Sequence, residues 1–331
     1  MRAFVTDAYK GRVHEADVPE PNVGDHDVLV EVMAAGLNQL DEKVRRGEFK
    51  QLLPYRMPLA LGHDVAGTVL AVGSAVHGFA PGDPVFARPR DHRIGTFAER
   101  VAIHEDDLAL APRTVGVAEA ASLPLVALTV WQALVEIADV RPGQKVLIHA
   151  GAGGVGSICI QLAKHLGAHV ATTASANDAD FLRGLGADVV VDYRTQDFAT
   201  ELSGYDVVLD SLGGDNLDRS LGVLRRGGTV VGIAGPPTPQ FAEAAGLNLA
   251  LRVVMTILSR RARTRAKQLG VTYRFLFMRA SGLQLREVAA LVDSGAIHPV
   301  VGITYPFDET PAALAELGRT GTRGKAVLIR A

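Results

Sequence analysis

"VLIHAGAGGVGSICIQLAKHLGAHVATTAS", residues 146–175, runs from an apolar stretch through a glycine-rich turn and an amphipathic stretch into a second apolar run. That order reads as strand, turn, helix, strand. Glycines stand at 151, 153 and 156, with an extra one at 154 and Val155 between them. In this setting the first glycine permits a tight turn and the second lets the backbone approach a pyrophosphate. The third lets the helix pack close to the strand. The helix N-terminus then offers N–H groups and a partial positive charge to phosphates. We expect a dinucleotide on Gly151, Gly153, Gly154, Val155 and Gly156; the alternative is a glycine-rich turn that binds nothing.

Sites that prefer NAD carry an acid about 20 residues on, holding the ribose 2′-hydroxyl. Here the second run ends "ATTAS", with small and hydroxyl side chains where the acid would stand. A carboxylate would repel a 2′-phosphate, whereas Ser175 can donate to one. NADPH is the expected cofactor. Asp178 and Asp180, farther on in the next helical stretch, weigh against it, and Ser175 also fits an N-cap of that stretch.

Working outward, strand and helix textures alternate from Lys145: "KVLIHA", "HVATTAS", "ADVVVDY", "YDVVLDS", "GGTVVGIAG" and "VTYRFLFM" lie between helical stretches. Fully apolar strands alternating with helices mean a parallel sheet covered on both faces, an α/β fold. Residues 1 to about 115 instead hold short β-rich runs cut by Gly and Pro. Residues 117–138 read as a helical bridge, and the tail "HPVVGITYPF…GKAVLIRA" returns to the β texture. The expected domains are therefore 1–116 with 299–331, and 117–298.

Composition bounds the function. The chain has 331 residues, 34 basic and 36 acidic, for a net charge of −2. Nothing global favours nucleic acid or an anionic membrane. A single cysteine, Cys159, excludes an internal disulfide and a cysteine-rich zinc site. "MRAFVTDAYKGR" lacks the charged start and apolar core of a secretion signal, so the cytoplasm is the expected location. The basic run "SRRARTRAKQ", 259–268, reads as a solvated helix face. "LALRVVMTIL" and "YRFLFM" line an apolar entrance or belong to the core or a dimer interface.

"AAGLNQLDEKVRRGEF", "LGHDVAGTVLAVGSAVHGFAPGDPVFA" and "GTFAERVAI", followed by "GAGGVG", resemble the medium-chain dehydrogenase/reductase superfamily over nearly the whole chain. Within it the chain is similar to the zinc-independent quinone oxidoreductase and enone (alkenal) reductase branch. The resemblance implies a GroES-like catalytic domain, a Rossmann domain, an active site in the cleft between them and a homodimer. Zinc alcohol dehydrogenases of this superfamily have a cysteine in the stretch matching "GLNQLD"; here "LNQ" fills it, and His63 of "GHD" has no thiolate partner. No metal is expected, which leaves hydride addition to an activated C=C or a quinone.

The resemblance also implies site residues. Asn38 faces the nicotinamide region, Lys43 lies near the nicotinamide ribose and substrate, and Asp41 orients Lys43. Lys43 is the expected donor to a developing enolate, with an exposed helix lysine as the plain alternative. Phe49 stands where related enzymes have a tyrosine, and Tyr55 is nearby. Thr129 approaches the nicotinamide end; Tyr193 lies near the adenosine phosphate. The usual phosphate lysine is replaced by Asn177 and Asp178, with Arg194 as compensation. Ser211, Leu212, Ile233 and Gly235 follow the fourth and fifth strands, and Lys325 resembles a tail cation near the cofactor. Two alternatives to the enone or quinone reductase remain: a freestanding enoyl-thioester reductase, and a catalytically silent NADPH-binding protein.

Overall fold

The computed structural model describes residues 1–318 and 321–330. The chain forms two compact units, Met1–Leu128 with Arg279–Ala331, and Thr129–Met278. The expected bounds were 116 and 299. The unit division instead leaves the first bridge helix, Val117–Ala121, and the helix Gly282–Asp293 with the β-rich unit.

The second unit carries six parallel strands. Across the sheet they run Val189–Asp192, His169–Ala174, Lys145–Ile148, Tyr205–Asp210, Leu224–Gly232 and Thr272–Phe275. In chain order this is 3-2-1-4-5-6, the doubly wound Rossmann arrangement. Leu147 of the central strand pairs with Ala171 on one side and Val208 on the other. All three are fully buried, as helices on both faces require. Strand order reverses at the central strand, so the turn that leaves it sits where such sheets bind ligands.

The first unit is antiparallel in most of its pairings. Its seven-stranded sheet is built on Asp27–Gly36, where Val28, Val30 and Val32 point inward at every second position. The tail strand Lys325–Ile329 pairs antiparallel with it, Leu328 opposite Ala35. A smaller three-stranded sheet joins His14–Asp17, Arg2–Thr6 and Leu59–Ala60.

The helical bridge expected over 117–138 consists of three pieces: Val117–Ala121, Pro124–Trp131 and a wide π turn over Gln132–Ile137. Pro124 opens the second piece, where its missing N–H costs nothing but ends the first. The basic run forms the helix Arg260–Leu269, with Ala262 and Ala266 buried and Arg261 paired to Asp218. That is a solvated face. The preceding helix, Leu249–Leu258, exposes Leu249, Val253 and Ile257, so these side chains are not core of this chain. Among the described residues no helix is long and apolar enough to cross a membrane.

Candidate functional site

The glycine turn joins the strand Lys145–Ile148 to the helix Gly154–His165, with Gly153 at the N-cap. The left-handed backbone the turn needs falls on Ala150, at φ 56°, rather than on the first glycine. Gly151 is required for space: a Cβ there would meet Thr172 Oγ1 at 2.2 Å. At Gly156 a Cβ would lie 2.3 Å from Ala150 O, so the third glycine lets the helix lie against the turn. Gly153 differs, with nothing nearer than 3.4 Å, which leaves its outer face open to a ligand. The first helical bond runs from Ser157 N to Gly153 O; Gly153 N donates back to Ala150 O, and helix geometry leaves the amides of Gly154, Val155 and Gly156 without intrahelical acceptors. These amides and the helix dipole form a cradle for phosphates.

Beneath the turn lies His149, a residue the sequence reading did not single out. It is buried, with Nδ1 3.1 Å from Thr173 Oγ1 and Nε2 2.8 Å from Ser220 Oγ. Burial pushes its pKa below the usual imidazole value. Thr173 in turn accepts from Ala150 N at 3.2 Å, so this pair supports the strained residue.

The second strand ends at Ala174, and Ser175 follows in extended conformation. Its hydroxyl caps nothing; it donates to Asp178 Oδ2 at 2.8 Å. A short 3-10 turn over Ala176–Asp178 brings that carboxylate back beside the serine. Tyr193, mostly exposed, follows the neighbouring strand, and the Arg194 guanidinium lies 5.7 Å from the centre of its ring. Tyr193 raises the Arg194 pKa most, and Asp192 and Asp178 add to the effect.

Ser211 and Leu212 follow the strand Tyr205–Asp210. Ser211 Oγ donates to His149 O at 3.3 Å, and the amides of Leu212 and Gly213 both donate to Asp210 Oδ1 at 2.8 Å. Ile233 and Gly235 follow the next strand, Gly235 close under Tyr273, whose hydroxyl a Cβ would meet at 2.4 Å. Because the sheet is parallel, Gly151–Gly156, Ser175, Tyr193, Ser211, Leu212, Ile233 and Gly235 share its C-terminal edge. Thr129 is buried on the helix Pro124–Trp131.

The β-rich unit holds a buried polar cluster. The short helix Gln39–Arg46 starts after Asn38, whose backbone N–H donates to Asp41 Oδ2 at 2.8 Å. Asp41 Oδ1 lies 2.5 Å from His63 Nδ1. Next to this pair, Asn38 Nδ2 donates to Asp64 Oδ2 at 2.9 Å and its Oδ1 accepts from Lys325 Nζ at 2.5 Å. Lys325 also reaches Asp64 Oδ2 at 3.0 Å and Leu37 O at 2.8 Å. Asp64 Oδ1 accepts from Leu125 N at 2.7 Å. All five side chains are buried, and each carboxylate faces a donor, as burial demands.

This changes several expected roles. Asp41 does not orient Lys43, because its oxygens are engaged with Asn38 and His63. Lys43 is half-buried, and its ammonium makes no hydrogen bond or ion pair with the described residues. The three N–H groups of Lys325 all have acceptors within the chain. Tyr55 is half-buried, with its hydroxyl buried and unpartnered among the described residues, and burial pushes the phenol up to about 12. Phe49 packs against the core of this unit.

Zinc does not fit these donors. His63 is paired with Asp41, Asp64 faces a lysine, and Cys159 is buried on the helix Gly154–His165 with its thiol pushed up by burial. Among the described residues no group of three histidine, cysteine or acidic side chains is placed to hold a metal.

Two family models match the chain: an alcohol dehydrogenase GroES-like domain over residues 24–113 and a zinc-binding dehydrogenase over residues 185–328. The mouse mitochondrial NAD(P)H oxidoreductase RTN4IP1 is 35% identical, over 92% of this chain and 81% of its own length. The Arabidopsis thaliana chloroplastic NADPH-dependent alkenal/one oxidoreductase is 33% identical, over 99% of this chain and 79% of its own. Among solved structures, the Escherichia coli quinone oxidoreductase complexed with NADPH superimposes with a TM-score of 0.81. It is 27% identical, and the match covers 99% of this chain and 100% of that one.

Proposed function

The chain belongs to the medium-chain dehydrogenase/reductase superfamily, in its zinc-independent quinone oxidoreductase and enone reductase branch, and from this we propose an NADPH-dependent reductase of α,β-unsaturated carbonyls or quinones. One observation carries the reading. Asp41, Asp64 and Nδ1 of His63 are engaged with partners in the chain, and among the described residues no group of three histidine, cysteine or acidic side chains is placed to hold a metal for a bound alkoxide. Reduction of an activated double bond requires a hydride for the β-carbon, a donor for the oxygen that gains charge and a proton for the α-carbon, which water supplies.

NADPH supplies that hydride when bound. We assign the phosphates to the amides of Gly154, Val155 and Gly156, beside the open face of Gly153, which Gly151 and the His149–Thr173 pair hold in place. The adenosine end belongs to Ser175, Tyr193 and Arg194, and the strand ends at Ser211, Leu212, Ile233 and Gly235 line the path towards Thr129. Asp178 beside Ser175 limits the preference for a 2′-phosphate. On the substrate side, Lys43 is the proposed donor to the enolate oxygen, its ammonium being unengaged by the described residues. Asn38 and Asp41 act on it only through the backbone of the helix they start. A homodimer is part of this reading, supported by the exposed apolar side chains of the helix Leu249–Leu258.

The test is direct. Purified protein is mixed with NADPH and a panel of enones, quinones and one enoyl thioester, and loss of the reduced nicotinamide absorbance is followed. Turnover of enones or quinones supports the proposal. A faster rate with the thioester reassigns the substrate, and cofactor binding with no consumption identifies a silent binding protein.

A further inference from the structure

A cavity of about 420 Å³ opens on the β-rich unit, beside the loop that follows the strand Pro84–Ala87 and at the N-terminus of the helix Gly282–Asp293. Arg88 lines it, and is among the largest fully buried side chains of the described residues at 1% exposure. Its Nη2 donates to Asp91 Oδ1 at 2.6 Å, but Nε and Nη1 have no partner among the described residues. A guanidinium does not lose its proton in a protein, so burial cannot be relieved by neutralisation. Three of its five N–H groups are thus left without an acceptor, an arrangement that costs stability unless something supplies one.

The rest of the cavity points the same way. Arg90 is held to Asp107 by two bonds of 2.6 and 2.9 Å, so that pair is neutral within itself. Arg279 and Arg286 add two exposed guanidinium groups, and Asp106 is the remaining acid on the wall. Arginines exceed aspartates by one. The twelve-residue helix adds its positive end: Ser281 caps it by accepting from Gln284 N at 3.3 Å, and geometry leaves the amides of Gly282 and Leu283 without intrahelical acceptors. Gly282 fixes that end in place, since a Cβ there would meet Leu108 O at 2.3 Å and Asp106 O at 2.9 Å.

We propose that this cavity binds a phosphate group, as inorganic phosphate or as a phosphomonoester. Donors reach it from separate directions: the buried Arg88, the helix end and Arg286. A tetrahedral dianion can accept from all of them, whereas a planar carboxylate matches a single guanidinium fork. The site is distinct from the glycine cradle and does not depend on the reductase reading.

Calorimetric titration of the full chain, saturated with NADP⁺ to keep the probes off the glycine cradle, tests the proposal. Inorganic phosphate, glycerol phosphate and acetate are titrated in turn. One saturable site is expected for a phosphate probe, and the tighter of the two identifies the source. Arg88→Met should weaken it about tenfold or more, the loss of a charge-assisted donor set. Arg286→Ala, at an exposed position, should weaken it several-fold and keeps the test decisive if Arg88→Met does not fold. No saturable binding, equal affinity in Arg286→Ala, or acetate binding as tightly as phosphate would overturn the proposal.

Discussion

Lys325 Nζ lies 3.0 Å from Asp64 Oδ2, joining two buried groups 261 residues apart in the chain. The tail strand that carries Lys325 pairs with Asp27–Gly36, so this ion pair forms only when the end of the β-rich unit closes on its beginning. Lys325→Met leaves Asp64 buried with amide donors but no countercharge. We expect a loss of about 3–5 kcal/mol in unfolding free energy, read by urea denaturation of this unit. The double variant Lys325→Met with Asp64→Leu should recover part of it. A single-variant loss below about 1 kcal/mol would show that the pair contributes little.

The three glycines of the turn should separate into two kinds. Gly156→Ala sets a Cβ against backbone atoms of Ala150 and Gly151, so the helix must shift, at a cost of about 1–3 kcal/mol. Gly153→Ala meets nothing closer than 3.4 Å and should leave the thermal midpoint nearly unchanged while weakening NADPH binding. Equal effects of the two on stability would contradict the assignment of Gly153 to the ligand face.

Cofactor choice should respond to the Ser175–Asp178 contact. Asp178→Asn removes a negative charge beside the proposed 2′-phosphate position and keeps the shape. The ratio of kcat/KM for NADPH over NADH should rise by about tenfold, close to the effect of one charge-assisted contact. Arg194→Ala should lower the same ratio. No change in either variant would move the 2′-phosphate elsewhere.

His149 supplies a pH dependence. Its folded pKa lies below the unfolded value of 6.5, so below that value the unfolded chain binds more protons. Stability is therefore full above about pH 6.5 and falls as pH drops towards the folded pKa. His149→Gln should flatten this part of the stability profile measured by urea titration at several pH values. An unaltered slope would assign it to another group.

Much of the dinucleotide-binding unit was legible because its strands are uninterrupted apolar runs and its turn needs glycine for space, both properties of neighbouring residues. The buried cluster was not. A lysine in "RGKAVL" looks solvent-exposed until the tail strand is paired, and only then does Asp64 become its partner. Asp41 and Lys43 are two apart on a helix, a spacing that puts side chains on different faces, so the expected orienting contact could not form. Asp178 looked remote from Ser175 because a 3-10 turn cannot be read from "SAND" alone. Arg88 carried no signal in the sequence, since its burial depends on segments nearly 200 residues apart.

Lys43 separates chemistry from folding. Its ammonium makes no bond with the described residues, so Lys43→Ala should leave the thermal midpoint unchanged. Turnover of an enone should fall about 10²-fold, the scale of losing one donor to a developing oxyanion. Asn38→Ala, by contrast, should destabilise the fold, because Lys325 and Asp64 both lose a partner. Unchanged turnover in Lys43→Ala would pass the donor role to another group.

The most direct measurement is of label transfer. The chain is stripped with a chelator, supplied with NADPH deuterated at C4 of the nicotinamide, and given an enone, and the product is read by NMR. The account predicts one deuterium on the carbon β to the carbonyl, at a rate unaffected by stripping. Transfer that ceases on stripping and returns with added zinc would contradict it, as would a product with no label.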